Sequence, residues 1–268
     1  MKKNNKITLV VLLLAAAGFL LQSCGKDSKE PFPPSKVTGT ITYNGLPVNL
    51  ATSNLQLNSG AGNGNNLNTF FIRQTAPQPL SLSDQPIFAA GDGTFTYSAF
   101  DGDYTIYPVP YKTPWRNIDP ISFSLNGTKN VEIKVTPYHW VSNYKTTFVD
   151  SVFTATFKLD RIIDTYTGAT GLPVTTGLEF VRAYFNVTSH VDAGAAILTK
   201  TIANVAPNVV IVNGDCTVRV DLKYASLTPT ERTSMLALKA TTGKLWVNIG
   251  IKTTGITDPL YQVPVALK

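Results

Sequence analysis

The sequence predicts an all-β chain built as two β-sandwiches in tandem, with at most one short helix. Three observations predict it. From Lys36 onward apolar and polar residues alternate with a period of two, in short runs rich in Val, Ile, Thr, Phe and Tyr, the pattern of half-buried strands. Turn-forming residues punctuate those runs, with 19 Gly and 17 Pro in 268 residues. Charged residues make up only 15%, too few for a coiled coil or a disordered chain.

The segment before the first strand carries an address. Met1 to Lys6 is basic and Ile7 to Leu21 is an almost unbroken apolar run, shorter than the ~20 residues that span hydrocarbon. It reads as a secretory signal. The run ends in Leu21-Gln22-Ser23-Cys24, which resembles a bacterial lipoprotein box: residues 1–23 are removed and Cys24 becomes the lipid anchor. Several acyl chains on one residue hold a membrane where a single chain is marginal. Residues 24–35 follow as a flexible tether, charged and proline-containing. Its Lys26-Asp27 resembles the surface-export signal of Bacteroidetes lipoproteins, so the expected location is the outer membrane, facing the exterior.

The formal charge of +6 includes Lys2, Lys3 and Lys6; without those three it is +3. The remaining cations are scattered singly, which argues against a nucleic-acid partner. Beyond Cys24 the only thiol is Cys216, so no internal disulfide forms. Cys216 lies beside the alternating run Thr217 to Leu222 and reads as a strand residue.

The first sandwich is expected over residues 36–138. Val37 to Tyr43 alternates, Asn44-Gly45 is a strong two-residue hairpin signal, and Leu46 to Leu50 returns. The tract Gly60 to Asn66 reads as a loop rather than a phosphate cradle, because no helix and no Lys-Ser/Thr follow it. Phe70 to Arg73, Pro86 to Ala89, Thr94 to Ser98, Asp103 to Val109, Ile121 to Leu125 and Val131 to Val135 are further strands. The second sandwich is expected over residues 139–268. Thr147 to Leu159 is one long strand or a bent pair. Leu178 to Val187, Asn208 to Val212, Thr217 to Tyr224, Leu245 to Lys252 and Tyr261 to Leu267 alternate likewise. The single helix candidate is Thr230 to Ala240, with Thr228 as its cap and Pro229 at its first turn.

Catalytic chemistry is sparse. The two histidines, His139 and His190, have no ligand spacing. Ser142-Asn143-Tyr144-Lys145 has a Ser-x-x-Lys spacing without the companion motifs of the enzymes that use it. Asp101 and Asp103 flank Gly102, where they hold either a cation or a hydrogen-bonded turn. No catalytic residue, metal site or cofactor is assigned. Aromatics give the better lead, since sugar rings present apolar C–H faces to Trp and Tyr. Tyr107, Tyr111 and Trp115 lie in a proline-rich loop, followed by Arg116, Asn117 and Asp119. Trp115 is expected either to stack on a sugar, with Arg116, Asn117 or Asp119 bonding hydroxyls, or to pack over a sandwich end. Tyr111 and Trp140 complete the candidate ligand set.

Three stretches carry a resemblance: Asp92-Gly93-Thr94-Phe95, then Phe100 to Val109 with its Asp101-Gly102-Asp103-Tyr104, then Val131 to Tyr138 ending Val135-Thr136-Pro137-Tyr138. Together they resemble a Bacteroidetes lipoprotein family known as domain of unknown function 3823. The opening Gly39 to Val48 looks like the same family and like the wider carboxypeptidase-regulatory or transthyretin-like sandwich. Leu245 to Lys252 resembles the penultimate strand of the family's immunoglobulin-like second domain, although Asn248 stands where the family usually has Arg. The resemblance implies a transthyretin-like first sandwich and an immunoglobulin-like second. It also implies a non-catalytic accessory to a TonB-dependent polysaccharide uptake system, working beside the transporter and its lipoprotein partner. The alternative is a structural subunit or adhesin that binds outer-membrane proteins without sugar, and a hydrolase ranks third.

Overall fold

Strand begins at Ser35, one residue before the expected start, because the Ser35 side chain is buried and its hydroxyl donates to the Asp101 carboxylate. The computed structural model describes residues 33–51, 68–77, 83–108, 113–168, 170–194, 196, 198–202, 209–212, 214–233 and 244–267. The signal, Cys24, nearly all of the tether, the Gly60 to Asn66 tract and Tyr111 lie outside the described residues.

The first half contains β1 (Ser35–Tyr43), β2 (Leu46–Pro47), β3 (Asn68–Ala76), β4 (Gln85–Phe88), β5 (Thr94–Ala99), β6 (Gly102–Pro108), β7 (Ile121–Leu125) and β8 (Thr128–Lys134). In one sheet β1 runs between antiparallel β5 and parallel β8, with β2 folded back on it. Asn44 and Gly45 turn that hairpin with φ of 50° and 75°, as an Asn-Gly pair allows. The other sheet has the antiparallel order β4-β3-β6-β7. Val37, Ile41, Phe95 and Ile133 of the first sheet meet Phe70, Ile72, Ile106 and Leu125 of the second in one core. Gly39 is glycine for packing: the Phe95 ring and the Val131 carbonyl occupy the place of a Cβ.

The second half contains β9 (His139–Val149), β10 (Val152–Arg161), β11 (Thr165–Thr167), β12 (Pro173–Thr175), β13 (Leu178–Asn186), β14 (Leu198–Ile202), β15 (Val209–Val212), β16 (Asp215–Asp221), β17 (Leu245–Thr253), β18 (Leu260–Tyr261) and β19 (Val265–Leu267). One sheet has the order β15-β16-β10-β9; the other has β14-β13-β17-β18, with β19 also on β17. Phe153, Ala155 and Phe157 of β10 and Cys216, Val218 and Val220 of β16 face Val181, Ala183 and Phe185 of β13 and Val247, Ile249 and Ile251 of β17. Burial pushes the Cys216 thiol up to about 12, so it serves as a small apolar side chain.

Two sequence readings resolve in detail. Thr147 to Leu159 is a hairpin, turned at Asp150 and Ser151 with φ of 50° and 62°. Tyr261 to Leu267 is two short strands, β18 and β19, on the same neighbour β17. Residues 229–233 are helical. The Thr228 hydroxyl accepts from the Glu231 N–H at 3.3 Å while the Glu231 carboxylate accepts from the Thr228 N–H at 2.8 Å, a reciprocal cap. The rest of the expected helix lies outside the described residues.

The halves interlock. Leu260 of β18 is buried in the first core, the Tyr261 N–H donates to the Asn49 carbonyl at 3.4 Å, and Trp140 sets its edge against Tyr43 at 5.0 Å.

Candidate functional site

The expected ligand loop comes apart in the structure. Trp115 is only 1% exposed, its ring stacked on Phe70 at 6.0 Å and 15°. A β-bridge to Pro137 and the Arg116 N–H donating to the Thr136 carbonyl at 2.9 Å pin the segment. A side chain so enclosed offers no ring face to a sugar, so the stacking role is corrected and the packing alternative holds. Arg116, Asn117 and Asp119 are exposed on the approach to β7. Trp140 is partly buried against the first core and does not line the cavity described below.

The Asp101 and Asp103 carboxylates turn to different partners. Asp101 accepts from Ser35 and, at 3.2 Å, from the Gly127 N–H, while Asp103 accepts from the Ser124 hydroxyl at 2.6 Å. They tie β6 to its neighbours at the turn. Among the described residues no three His, Cys, Asp or Glu side chains come together to hold a metal.

A cavity of about 260 Å³ opens instead where the two halves meet. Its origin lies in the β13–β17 pair. The inner faces of these strands fill the second core, and their outer faces are covered too, so burial runs through consecutive residues from Val247 to Ile251. On the outer face Phe180 pairs with Lys252, Arg182 with Gly250 and Tyr184 with Asn248. The Tyr184 and Tyr261 rings close over Gly250, where a Cβ would fall 2.8 Å and 3.1 Å from their ring carbons. The chain after β13 folds across this face. Asn186 donates its amide to the His190 carbonyl at 3.1 Å and Asn248 donates to the Val191 carbonyl at 3.0 Å. Asn248 also accepts the Gln262 N–H at 3.2 Å. Leu50, Ala51, Ala89 and Pro114 of the first half close the opposite wall.

The lining mixes aromatic and charged groups. The Arg182 guanidinium carbon lies 3.6 Å from the centre of the Phe180 ring and the Lys252 ammonium 5.6 Å from it, both within cation–π range. Lys252 also pairs with Glu179 at 2.9 Å. Asp192 is buried and accepts the Gly194 N–H at 2.8 Å, and the Tyr261 hydroxyl accepts the Ala193 N–H at 3.4 Å. Burial raises the Tyr261 hydroxyl well above the ordinary tyrosine pKa and raises that of Tyr184, so both stay protonated and able to donate. Aromatic walls with a few convergent donors and acceptors suit an orienting binding site.

Of the expected ligand residues none lines this cavity among the described positions; only Pro114, from the same loop, does. Phe180, Arg182, Tyr184, Asp192, Lys252 and Tyr261 were missed. The available signal was the run Leu178 to Asn186, where an Arg stands among apolar and aromatic residues facing both ways. That composition marks a sheet covered on both faces.

The molecule is thus an all-β protein of two packed sheet pairs with a polar and aromatic cavity at their junction. Residues 35–136 match the family model described as “Protein of unknown function (DUF3823) N-terminal domain”. A DUF3823 family protein from Parabacteroides merdae has a similar fold, with TM-score 0.66 and 23% identity over 89% of this chain and 100% of that one. One from Bacteroides ovatus gives 0.63 and 18%, over 88% and 98%. A “putative carbohydrate binding protein” from Bacteroides uniformis gives 0.60 and 16%, over 88% and 99%. No curated protein matches the chain.

Proposed function

We propose that this protein is a non-catalytic, surface-anchored lipoprotein that binds a glycan in the junction cavity as an accessory to a TonB-dependent polysaccharide uptake system. The cavity carries the reading: it brings Phe180, Tyr184 and Tyr261 together with Arg182, Lys252, Glu179 and Asp192, apolar surface for a ring and donors and acceptors for its hydroxyls. The description of the Bacteroides uniformis neighbour supports the same class of ligand. The leader ending at Cys24 supports the surface anchor.

Affinity electrophoresis of the mature chain through gels containing single polysaccharides tests the binding. Retardation by at least one glycan, weakened by Arg182→Ala, is the expected result; free migration through every gel would remove the reading. Cys24→Ala should release the protein from membranes, and an unchanged membrane fraction would refute the lipid anchor.

A further inference from the structure

We propose that the junction cavity takes an acidic saccharide and holds its uronate carboxylate between the Arg182 guanidinium and the Tyr184 hydroxyl; this rests on the saccharide reading above. The ground for it is what the cavity wall leaves unpaired. The Arg182 Nε and the Tyr184 hydroxyl oxygen are both buried, and neither has a hydrogen-bond partner among the described residues. Both side chains line the cavity. They stand two positions apart on β13, which puts them on the same face of the strand, and the Arg182 charge bears on the Tyr184 hydroxyl. A buried polar atom without a partner is costly, and two of them side by side in one cavity point to a ligand group.

The chemistry of the pair selects that group. A guanidinium donates and never accepts, and burial keeps the Tyr184 hydroxyl protonated, so it donates as well. Two donors side by side are met best by a group that only accepts. An ionised carboxylate is such a group, whereas a sugar hydroxyl brings a proton of its own. The guanidinium carbon lies over the Phe180 ring, 3.6 Å from its centre. A guanidinium held over a ring still presents its N–H edge, and that planar fork matches a carboxylate. The cavity's own carboxylates do not serve the pair. Glu179 is taken by Lys252 at 2.9 Å. Asp192 accepts the Gly194 N–H at 2.8 Å, and neither it nor Asp258 is without a further partner. The Asp192 charge bears on Tyr184, yet none of the three bonds the Arg182 Nε or the Tyr184 hydroxyl.

The test is calorimetric titration of the mature chain with matched pairs: trigalacturonate against its methyl ester, and glucuronic-acid-branched xylotriose against plain xylotriose. The carboxylated member should bind at least about tenfold more tightly, about 1.4 kcal/mol. Arg182→Gln and Tyr184→Phe should each narrow that gap. Tyr184→Phe keeps the ring that closes over Gly250 and deletes only an unpaired hydroxyl, so the melting temperature of the ligand-free protein should not fall. A fall would mean that the hydroxyl has a partner within the fold and would overturn its role as an anchor. A gap that survives either variant removes that residue from the site. Neutral members binding as tightly as their carboxylated partners overturn the carboxylate anchor and leave saccharide binding standing. Binding to no member of either pair overturns both.

Discussion

The two halves fill the same kind of space by different means. In the second, the core is supplied almost entirely by strands: alternate residues of β10, β16, β13 and β17 interdigitate, with Phe153 meeting Phe185 edge-on at 6.0 Å. In the first, a residue outside every strand inserts a ring between the sheets. Trp115 reaches Phe70 from a segment held by a single bridge, and Leu260 enters the same core from the other half of the chain. A strand-built core is largely self-contained, whereas one completed by a loop and a borrowed residue depends on its surroundings. The junction cavity sits where that dependence is greatest, its walls drawn from both halves.

Removing the loop-borne ring should break the first half most severely. Trp115→Ala empties a fully enclosed site, and truncations of buried aromatic residues cost about 3–5 kcal/mol. Thermal unfolding followed by near-ultraviolet circular dichroism measures it. A melting temperature within a degree or two of the parent would mean that the ring is not part of the core.

The borrowed residue separates dependence from mere proximity. Leu260→Ala, at a site 2% exposed, should cost about 2–5 kcal/mol. Because the leucine is attached to one half and packed in the other, the loss should be felt by both. Hydrogen exchange should show faster opening of β1 and β3 as well as β17 and β18. Faster exchange confined to β17 and β18 would show that the halves are independent.

Acid should act on the second half, where β9 meets the end of β17. His139, at the start of β9, places Nδ1 2.8 Å from the Thr253 hydroxyl. Burial, with a smaller push from Arg161, lowers its pKa from 6.5 to about 4. The folded value is the lower one, so above pH 6.5 both states are neutral and the group is silent. Between pH 6.5 and 4 the unfolded chain takes the proton and the folded one does not, so stability falls through that window and then levels off. The full loss is about 3 kcal/mol, at ~1.36 kcal/mol per unit difference in pKa. His139→Gln should flatten melting temperature against pH in that window; an unaltered slope would place the titration elsewhere.

The same contrast explains what the sequence disclosed. Strand positions were legible because burial on one face writes a period of two, as in Ile121 to Leu125 and in β16, where Cys216, Val218 and Val220 alternate with exposed neighbours. The role of Trp115 was ambiguous because nothing local distinguishes a loop aromatic that faces solvent from one that enters a core; only Phe70, 45 positions earlier, decides it. The cavity was hidden for another reason. Its residues lie on β13, β17, β18 and the chain between β13 and β14, with their opposite wall at Leu50, Ala51, Ala89 and Pro114. Pairing across such separations is set by sheet register, which no short motif records.

The smallest expected effect concerns two turns of the same shape. Asn44-Gly45 in the first half and Asp150-Ser151 in the second both place consecutive residues at positive φ, between 50° and 75°. The first uses the residue pair that tolerates this geometry best, and the second has no glycine. A non-glycine residue held there is strained by about 1–2 kcal/mol, although replacing it with glycine gives back about 0.4–1 kcal/mol through the freer unfolded chain. Ser151→Gly should therefore stabilise by about 0.5 kcal/mol. Its carbonyl still accepts from the Leu222 N–H, at 2.8 Å in the parent, because that bond belongs to the backbone. Gly45→Ala should destabilise by a similar amount, the strain less the same unfolded-chain term, with no clash added, since no atom lies within 4 Å of the added Cβ. Urea midpoints for the two variants should move in opposite directions. If Ser151→Gly lowers the midpoint, the Ser151 side chain contributes something beyond the turn geometry, and the equivalence of the two turns fails.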